Sequence, residues 1–390
     1  MTRMLVRTIE QRLRTSKKSV LLLGARQVGK STLTRALRPD RIVNLADQAS
    51  YLGYAKDPGR LRRELAALER PSLVVLDEIQ RIPVLLNTIQ AEMDEGSRHR
   101  FILTGSSARK LKRGGANLLP GRIVLEHLDP LSFWELGDAF DLNRALQVGT
   151  LPGIYLDREA GTDVLDSYTT VYLREEVQAE SIIRDVGTYA RFLDIAALGS
   201  GDWINYSKLA SDTEIAKETI RRFFQILEDT LLAFRIPPFE SRHPSRRVSQ
   251  RDRILFFDVG VRNALLGLHR HPPAATDKGK LFEQWLILQC LYFIRAHHLP
   301  WRVYGYRTDG GAEVDLVLDT GKILIAIECK LGRTVAASQL GGLRSFAGVT
   351  KRPVRSYVVF QGERPQRFDD NILAVPFMSF LEDILPNLLD

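Results

Sequence analysis

The chain has 390 residues, 44% hydrophobic and 26% charged, which describes a folded protein of two or three domains and excludes a disordered one. No apolar run reaches the roughly 18 residues of a membrane span, and the basic amino terminus lacks the apolar stretch of a secretory signal. The net charge of +8 points to an anionic partner, while Cys290 and Cys329, the only cysteines, make neither a disulfide framework nor a zinc cluster, so a reducing cytoplasm is expected.

In chain order, residues 20–23 form an apolar strand-like run. It leads into Gly24, Ala25, Arg26, Gln27, Val28, Gly29, Lys30 and Ser31, a match to G-x-x-x-x-G-K-[ST]. A helix-forming stretch follows at 32–38 and is stopped by Pro39. The glycines let the loop curl so that successive backbone N–H groups face one anion, and the helix amino end adds its own donors and dipole. In such a loop Lys30 reaches the β- and γ-phosphates, Ser31 ligates Mg²⁺, and Thr32 completes the nucleotide-binding stretch. ATP with Mg²⁺ is the expected ligand pair.

Residues 42–45 are a candidate strand. Asp57 and Pro58 open a helix over 60–70 as N-cap and first residue. The apolar run 73–76 then ends in Asp77 and Glu78. An Asp at the carboxyl end of a buried parallel strand holds Mg²⁺ through water, and an adjacent Glu polarises the attacking water. Lys30 and Glu78 are therefore the expected catalytic residues; the plain alternative for Asp77 and Glu78 is a surface turn. A helix over 84–95, ended by Gly96, precedes a third apolar strand at 101–103. That strand ends in Thr104, Gly105, Ser106 and Ser107, where a hydroxyl such as that of Ser106 would sense the γ-phosphate. With a further strand at 123–125, residues 18–126 read as an α/β parallel sheet with the site at the carboxyl ends of its strands.

The segments GARQVGKST, LVVLDEIQ, FILTGSSA, LPGRIVLEHLDPLSFWEL and LPGIYL together resemble predicted AAA-family ATPases of bacteria and archaea. Those carry a C-terminal domain of unknown function related to restriction-endonuclease folds. The resemblance spans essentially the whole chain. It implies an AAA-type sheet with the 101–103 strand between the P-loop strand and the Asp77 strand. It also implies a nucleotide or neighbouring-subunit contact for Arg122; a surface arginine after a turn is the plain reading.

In the middle of the chain, Tyr168, Val171, Tyr172 and Val177 recur at near-helical spacing, so 163–183 reads as a lid or connecting helix with Glu175, Glu176 and Glu180 on a solvated face. Beyond Gly199, Ser200 and Gly201, a short helix begins at Ser207 as N-cap. A second helix over 216–229 buries Ile220, Phe223, Phe224, Leu227 and Leu231 and exposes Lys217, Arg221 and Arg222. Strands at 231–236 and 254–257 flank an arginine-rich loop, 242–253. Helix, helix, strand, basic loop, strand is the order of a winged helix, which either meets DNA or packs domains together. A second basic cluster lies at 109–113.

After a linker at 276–280, the remainder reads α-β-β-β-α-β: a helix over 281–295, strands at 301–306, 313–318 and 323–330, a helix at 338–346 and a strand at 356–360. Period-two alternation puts Leu324, Ala326, Glu328 and Lys330 on one face, with Asp315 across the ladder and Glu283 approaching from the helix. This resembles the PD-(D/E)-x-K nuclease core. Asp315 and Glu328 would hold Mg²⁺ or Mn²⁺, Lys330 would position the attacking water, and Glu283 would join them. Many such domains only bind.

The expected organisation is an N-terminal AAA-type P-loop α/β domain (1–140), a helical lid (141–198), a winged helix (199–275) and a restriction-endonuclease-like α/β domain (276–390). The expected function is Mg²⁺-dependent ATP hydrolysis coupled to nucleic acid, in a protein that is an oligomer candidate and has no membrane partner. The alternative is a nucleotide-switched scaffold with a protein partner and an inert nuclease-like module.

Overall fold

The computed structural model describes residues 5–106, 121–172, 186–240, 248–368 and 371–389. Within it the apolar runs of the first third become strands β1 (Ser19–Leu23), β2 (Arg41–Asn44), β3 (Leu73–Asp77), β4 (Arg100–Gly105) and β5 (Ile123–His127). They form a five-stranded sheet in the order β2-β3-β4-β1-β5, every pair parallel. β4 thus lies between the P-loop strand and the Asp77 strand, as the resemblance implied. Every residue of β1 is buried, which is why this strand is apolar throughout rather than alternating. The core joins Leu21, Leu23, Val43, Leu76, Phe101 and Leu103 to Leu61, Leu65, Leu85 and Ile89 from helices Gly59–Ala66 and Leu85–Asp94. Because all five strands run one way, the loops after β1, β3 and β4 meet at a single edge. There the Gly24 amide donates to Gly105 O at 3.2 Å and the Leu128 amide to Leu23 O at 2.8 Å.

The chain separates into two compact units, Met1–Leu131 with Ile226–Leu232, and Ser132–Gln225 with Ala233–Asp390. Residues 141–225 and 233–275, from the expected lid and winged helix, thus share one unit with the C-terminal segment, while Ile226–Leu232 belongs to the other. Backbone hydrogen bonds explain the merger: Phe239 N donates to Gly305 O at 2.7 Å and Ser249 N to Arg307 O at 2.8 Å. Isolated bridges join Pro238 to Gly305 and Val248 to Thr308. The segments flanking the basic loop are edge partners of the C-terminal sheet.

That second unit contains helices Val186–Leu198, Tyr206–Thr213 and part of Lys217–Asp229, then an antiparallel pair, β6 (Ala233–Ile236) and β7 (Arg253–Phe256). Phe223 and Phe224 pack on Phe192, with ring centroids 5.1 and 4.9 Å away. Asn205, rather than Ser207, caps the first of the two later helices, its side chain accepting from Lys208 N at 3.1 Å. Leu231 lies past the end of the second helix, with a φ of 61°. A 22-residue helix, Ala275–Ala296, includes the expected linker, because neither Thr276 nor Lys280 interrupts a helical run. The strands that follow are β8 (Arg302–Arg307), β9 (Glu313–Asp319), β10 (Leu324–Lys330), β11 (Val354–Phe360), β12 (Gln366–Arg367) and β13 (Ile372–Pro376). Their six-stranded order is β12-β13-β11-β10-β9-β8, with β8, β9 and β10 antiparallel in turn and β10, β11 and β13 parallel. Ser107, the 109–113 cluster, Val177, Glu175, Glu176, Glu180 and residues 242–247 of the arginine loop lie outside the described residues.

Candidate functional site

β1 delivers the chain into the P-loop at the carboxyl edge of the first sheet. A Cβ on Gly24 would sit 2.4 Å from Leu128 O, so only glycine lets these two backbone stretches approach. Gly29, at φ 97°, is the turn into helix Lys30–Ala36, and Gln27 at φ 63° shares the left-handed backbone of the loop. Ala25 and Val28 are buried and anchor the loop, while Arg26, Gln27 and Ser31 are half-buried and Thr32 is exposed. Lys30 is 5% exposed, and its Nζ donates to Gly24 O at 2.8 Å and Ala25 O at 2.9 Å. The ammonium is therefore folded over the loop that it would share with a phosphate.

Asp77 closes β3 and is buried, accepting a hydrogen bond from the Thr104 hydroxyl on the neighbouring β4. The same hydroxyl accepts from Glu78 N at 3.0 Å, so one threonine fixes both acidic residues. Glu78 has a left-handed backbone, φ 59°, which turns its side chain out of the strand direction. Its carboxylate accepts from the Gln80 amide, and that amide also donates to Ser106 Oγ at 3.1 Å. Glu78, Gln80 and Ser106 form one chain of contacts at the sheet edge.

Two of these positions were not visible in the sequence. Gln80 belongs to a short 3₁₀ turn, Ile79–Arg81, whose direction no periodicity announces. Arg7 lies in a segment that reads as merely basic, yet it is 7% exposed and donates to Val28 O at 2.7 Å and Asp129 O at 2.6 Å. It staples the P-loop to the chain leaving β5.

Arg122 stands apart from the P-loop of its own chain. It precedes β5 at the amino end of a parallel strand, where Ser19 pairs with Ile123, whereas the P-loop follows the carboxyl end of β1. The length of the sheet separates it from the P-loop of its own chain. Its Nε donates instead to Asp94 at 2.5 Å.

In the second unit, continuation of the β9–β10 register sets Asp315 opposite Glu328. The Asp315 carboxylate accepts from Cys329 N at 2.7 Å, and Lys330 Nζ donates to Glu328 Oε1 at 2.6 Å. Glu283 reaches the same cluster from its helix and is paired with Arg253. Arg253, on β7, is 1% exposed; it also donates to Asp315 O and Gly201 O, each at 2.7 Å, and lies 5.7 Å from the Trp203 ring centroid. Burial pushes Glu283 up to about 7, with Asp315 adding to the rise and Arg253 opposing it. Asp315 and Glu328 are also raised, by burial first; Glu328 adds to the rise of Asp315. Burial opposes the charges of Arg253 and Lys330, yet their carboxylate neighbours outweigh it and both pKa values rise.

Among the described residues no group of three or more His, Cys, Asp or Glu side chains is arranged to hold a metal ion. Asp315 accepts from a backbone amide, Glu283 from a guanidinium and Glu328 Oε1 from an ammonium, while Glu328 Oε2 is buried with no hydrogen-bond partner among the described residues. An arginine brought from a distant strand supplies the positive charge, which no local spacing could reveal.

Comparison with known proteins divides the chain into three parts. Residues 16–137 match an AAA domain, residues 139–271 a domain of unknown function (DUF8612) and residues 278–380 another (DUF4143). An uncharacterized protein of Mycobacterium tuberculosis is 28% identical over 92% of this chain and 79% of its own length. One of Methanocaldococcus jannaschii is 24% identical over 94% of this chain and 85% of its own length. Among solved structures, a Signal Transduction ATPase with Numerous Domains protein with a tetratricopeptide repeat sensor, from Pyrococcus horikoshii, is 13% identical with a TM-score of 0.23. The alignment covers 75% of this chain and 47% of that one. A Vibrio cholerae protein is 12% identical, covering 95% and 97%, with a TM-score of 0.22. No helix among the described residues is long and apolar enough to cross a membrane. The AAA match over 16–137, the segment that holds the P-loop, Asp77 and Glu78, supports an AAA-family P-loop ATPase.

Proposed function

We propose that this chain is a Mg²⁺-dependent ATPase of AAA type, and the Asp77–Thr104–Glu78 arrangement at the same sheet edge as the P-loop is the observation that carries the reading. The donor set suits a nucleotide with its metal. Lys30 and the amino end of helix Lys30–Ala36 offer positive charge to the phosphates, and the glycine approach at Gly24 keeps the loop backbone free of side-chain bulk. The Ser31 hydroxyl and Asp77 would hold Mg²⁺, which supplies charge neutralisation when bound. Glu78 would polarise the attacking water, and Ser106 would sense the γ-phosphate. Arg122 is left only a contact to a neighbouring subunit.

Coupling to nucleic acid is the favoured use of this cycle. Two helices followed by an antiparallel strand pair support a winged helix, whose second helix exposes Lys217, Arg221 and Arg222. The net charge of +8 agrees. The α-β-β-β-α-β order supports a restriction-endonuclease-like C-terminal fold. Here the Arg253–Glu283 pair favours the second reading, an inert module that binds without cutting.

Phosphate release from ATP, with and without DNA, tests the reading on wild type, Lys30→Ala and Glu78→Gln. Mg²⁺-dependent turnover that DNA stimulates and both variants lose is expected. Equal turnover in wild type and Lys30→Ala would sink it. Nicking of plasmid with Mn²⁺ that vanishes in Lys330→Ala would overturn the inert module.

A further inference from the structure

Gln80 is a polar residue at the nucleotide edge to which the roles above assign nothing. It sits in the 3₁₀ turn Ile79–Arg81, immediately after the left-handed Glu78, and that turn folds its side chain back beside the carboxylate. Its Nε2 donates to Glu78 Oε2 and, at 3.1 Å, to Ser106 Oγ. The orientation of the amide is fixed by chemistry: an ionised carboxylate only accepts, so the nitrogen must face it. The other end of the amide, Oε1, is then a buried acceptor with no hydrogen-bond partner among the described residues. A buried carbonyl oxygen without a partner is costly to keep, and a water or substrate group is the usual reason that one persists.

We infer that Gln80 is the third member of the hydrolytic apparatus, accepting a hydrogen from the attacking water through Oε1 while its Nε2 holds Glu78 in place. The inference rests on the reading of Glu78 as the water-polarising base. Oε1 and Nε2 share one carbonyl carbon, so Oε1 sits one amide width from the contact with the Glu78 carboxylate, and the inferred water bridges the two. Two acceptors then fix both water hydrogens, and the oxygen lone pair is aimed away from them. In the step itself the water oxygen bonds to the γ-phosphorus as the bond from that phosphorus to its bridging oxygen breaks. The electron pair leaves with the diphosphate, and the water proton passes to Glu78. The bond from Nε2 to Ser106 ties this apparatus to the strand end that would meet the γ-phosphate, so water and phosphate are positioned by one connected group.

The test uses the full chain with ATP and Mg²⁺, measuring steady-state phosphate release together with the Kd of a fluorescent ATP analogue. Gln80→Ala should lower kcat about 100-fold, the usual cost of removing one group that acts in the transition state, while Kd stays within about twofold. Gln80→Glu keeps the shape but replaces the donor with a second acceptor against Glu78, so it should lose rate as Gln80→Ala does. An unchanged kcat in Gln80→Ala overturns the inference. So does a loss of rate matched by an equal weakening of Kd or by a fall in melting temperature, which would mark a structural role. If Lys30→Ala and Glu78→Gln are inactive while Gln80→Ala turns over normally, only this inference fails. If wild type shows no Lys30-dependent turnover, the ATPase reading fails and takes this one with it.

Discussion

Arg253 donates to the Glu283 carboxylate from a position with 1% of its surface exposed. The guanidinium comes from β7 and the carboxylate from the helix Ala275–Ala296, so the pair joins the strand hairpin to the C-terminal fold. Its other two nitrogens donate to Gly201 O and Asp315 O, so each nitrogen has an acceptor, which lowers the penalty of burying an arginine.

Removing one partner of such a pair leaves the other charge buried. Arg253→Met should cost about 3–5 kcal/mol of unfolding free energy, because Glu283 and the carbonyls lose their donor together. The double variant Arg253→Met/Glu283→Met should recover part of that loss. Urea denaturation measures both, and a single variant as stable as wild type would show that the pair is incidental.

Thr104 gives a sharper test at the nucleotide edge. It is fully buried and serves Asp77 and the Glu78 amide at once. Thr104→Val keeps the shape but orphans both partners, so stability should fall by roughly 1–3 kcal/mol. ATP turnover should fall about 10- to 100-fold, the range seen when the support of a metal-binding group is lost. Thr104→Ser should restore most of the rate. A Thr104→Val protein with wild-type turnover would remove Thr104 from the site.

Gly24→Ala tests the close approach of the P-loop to Leu128. The contact is with backbone, which cannot swing aside, so the loop itself must shift. A stability loss of about 1–3 kcal/mol is expected, with weaker binding of a fluorescent ATP analogue. Unaltered affinity and melting temperature would mean that the loop has room to spare.

Asp258 predicts a pH dependence. Its side chain is buried, Oδ1 accepting from Val261 N at 3.0 Å and Oδ2 from Thr150 N at 2.7 Å, and burial pushes its pKa from 3.8 up to about 6. A carboxyl raised on folding binds its proton more tightly in the folded state. Its contribution is therefore fully present below about pH 4 and is lost as pH rises through about 6, on the order of 3 kcal/mol in all. Asp258→Asn abolishes that slope and sets an NH₂ against an N–H donor. The stability gap between wild type and variant should be widest near pH 4 and narrow towards pH 7. A gap that stays constant across that window would contradict the assignment.

What was legible in the sequence was contiguous. Gly24 to Ser31 needs only a strand before it and a helix after it, and the apolar run ending at Asp77 announces a buried parallel strand by itself. The α-β-β-β-α-β order of the C-terminal part could be read from periodicity for the same reason, since each element writes its own pattern of burial. Other features depended on residues far apart in the chain. Arg253 enters the Glu283 and Asp315 cluster from some 30 to 60 positions away, with the sequence separations of 30 and 62 seen in its hydrogen bonds. Gln80 meets Ser106 only because β4 lies beside β3 and the backbone at Glu78 turns left-handed. The sequence by itself determined that a phosphate loop and an acidic strand end are present. The tertiary structure alone decided that a guanidinium from β7 faces Glu283, and that Arg122 precedes its strand at the end away from the P-loop. Charge pairing and strand direction act through space, and residue spacing does not carry them.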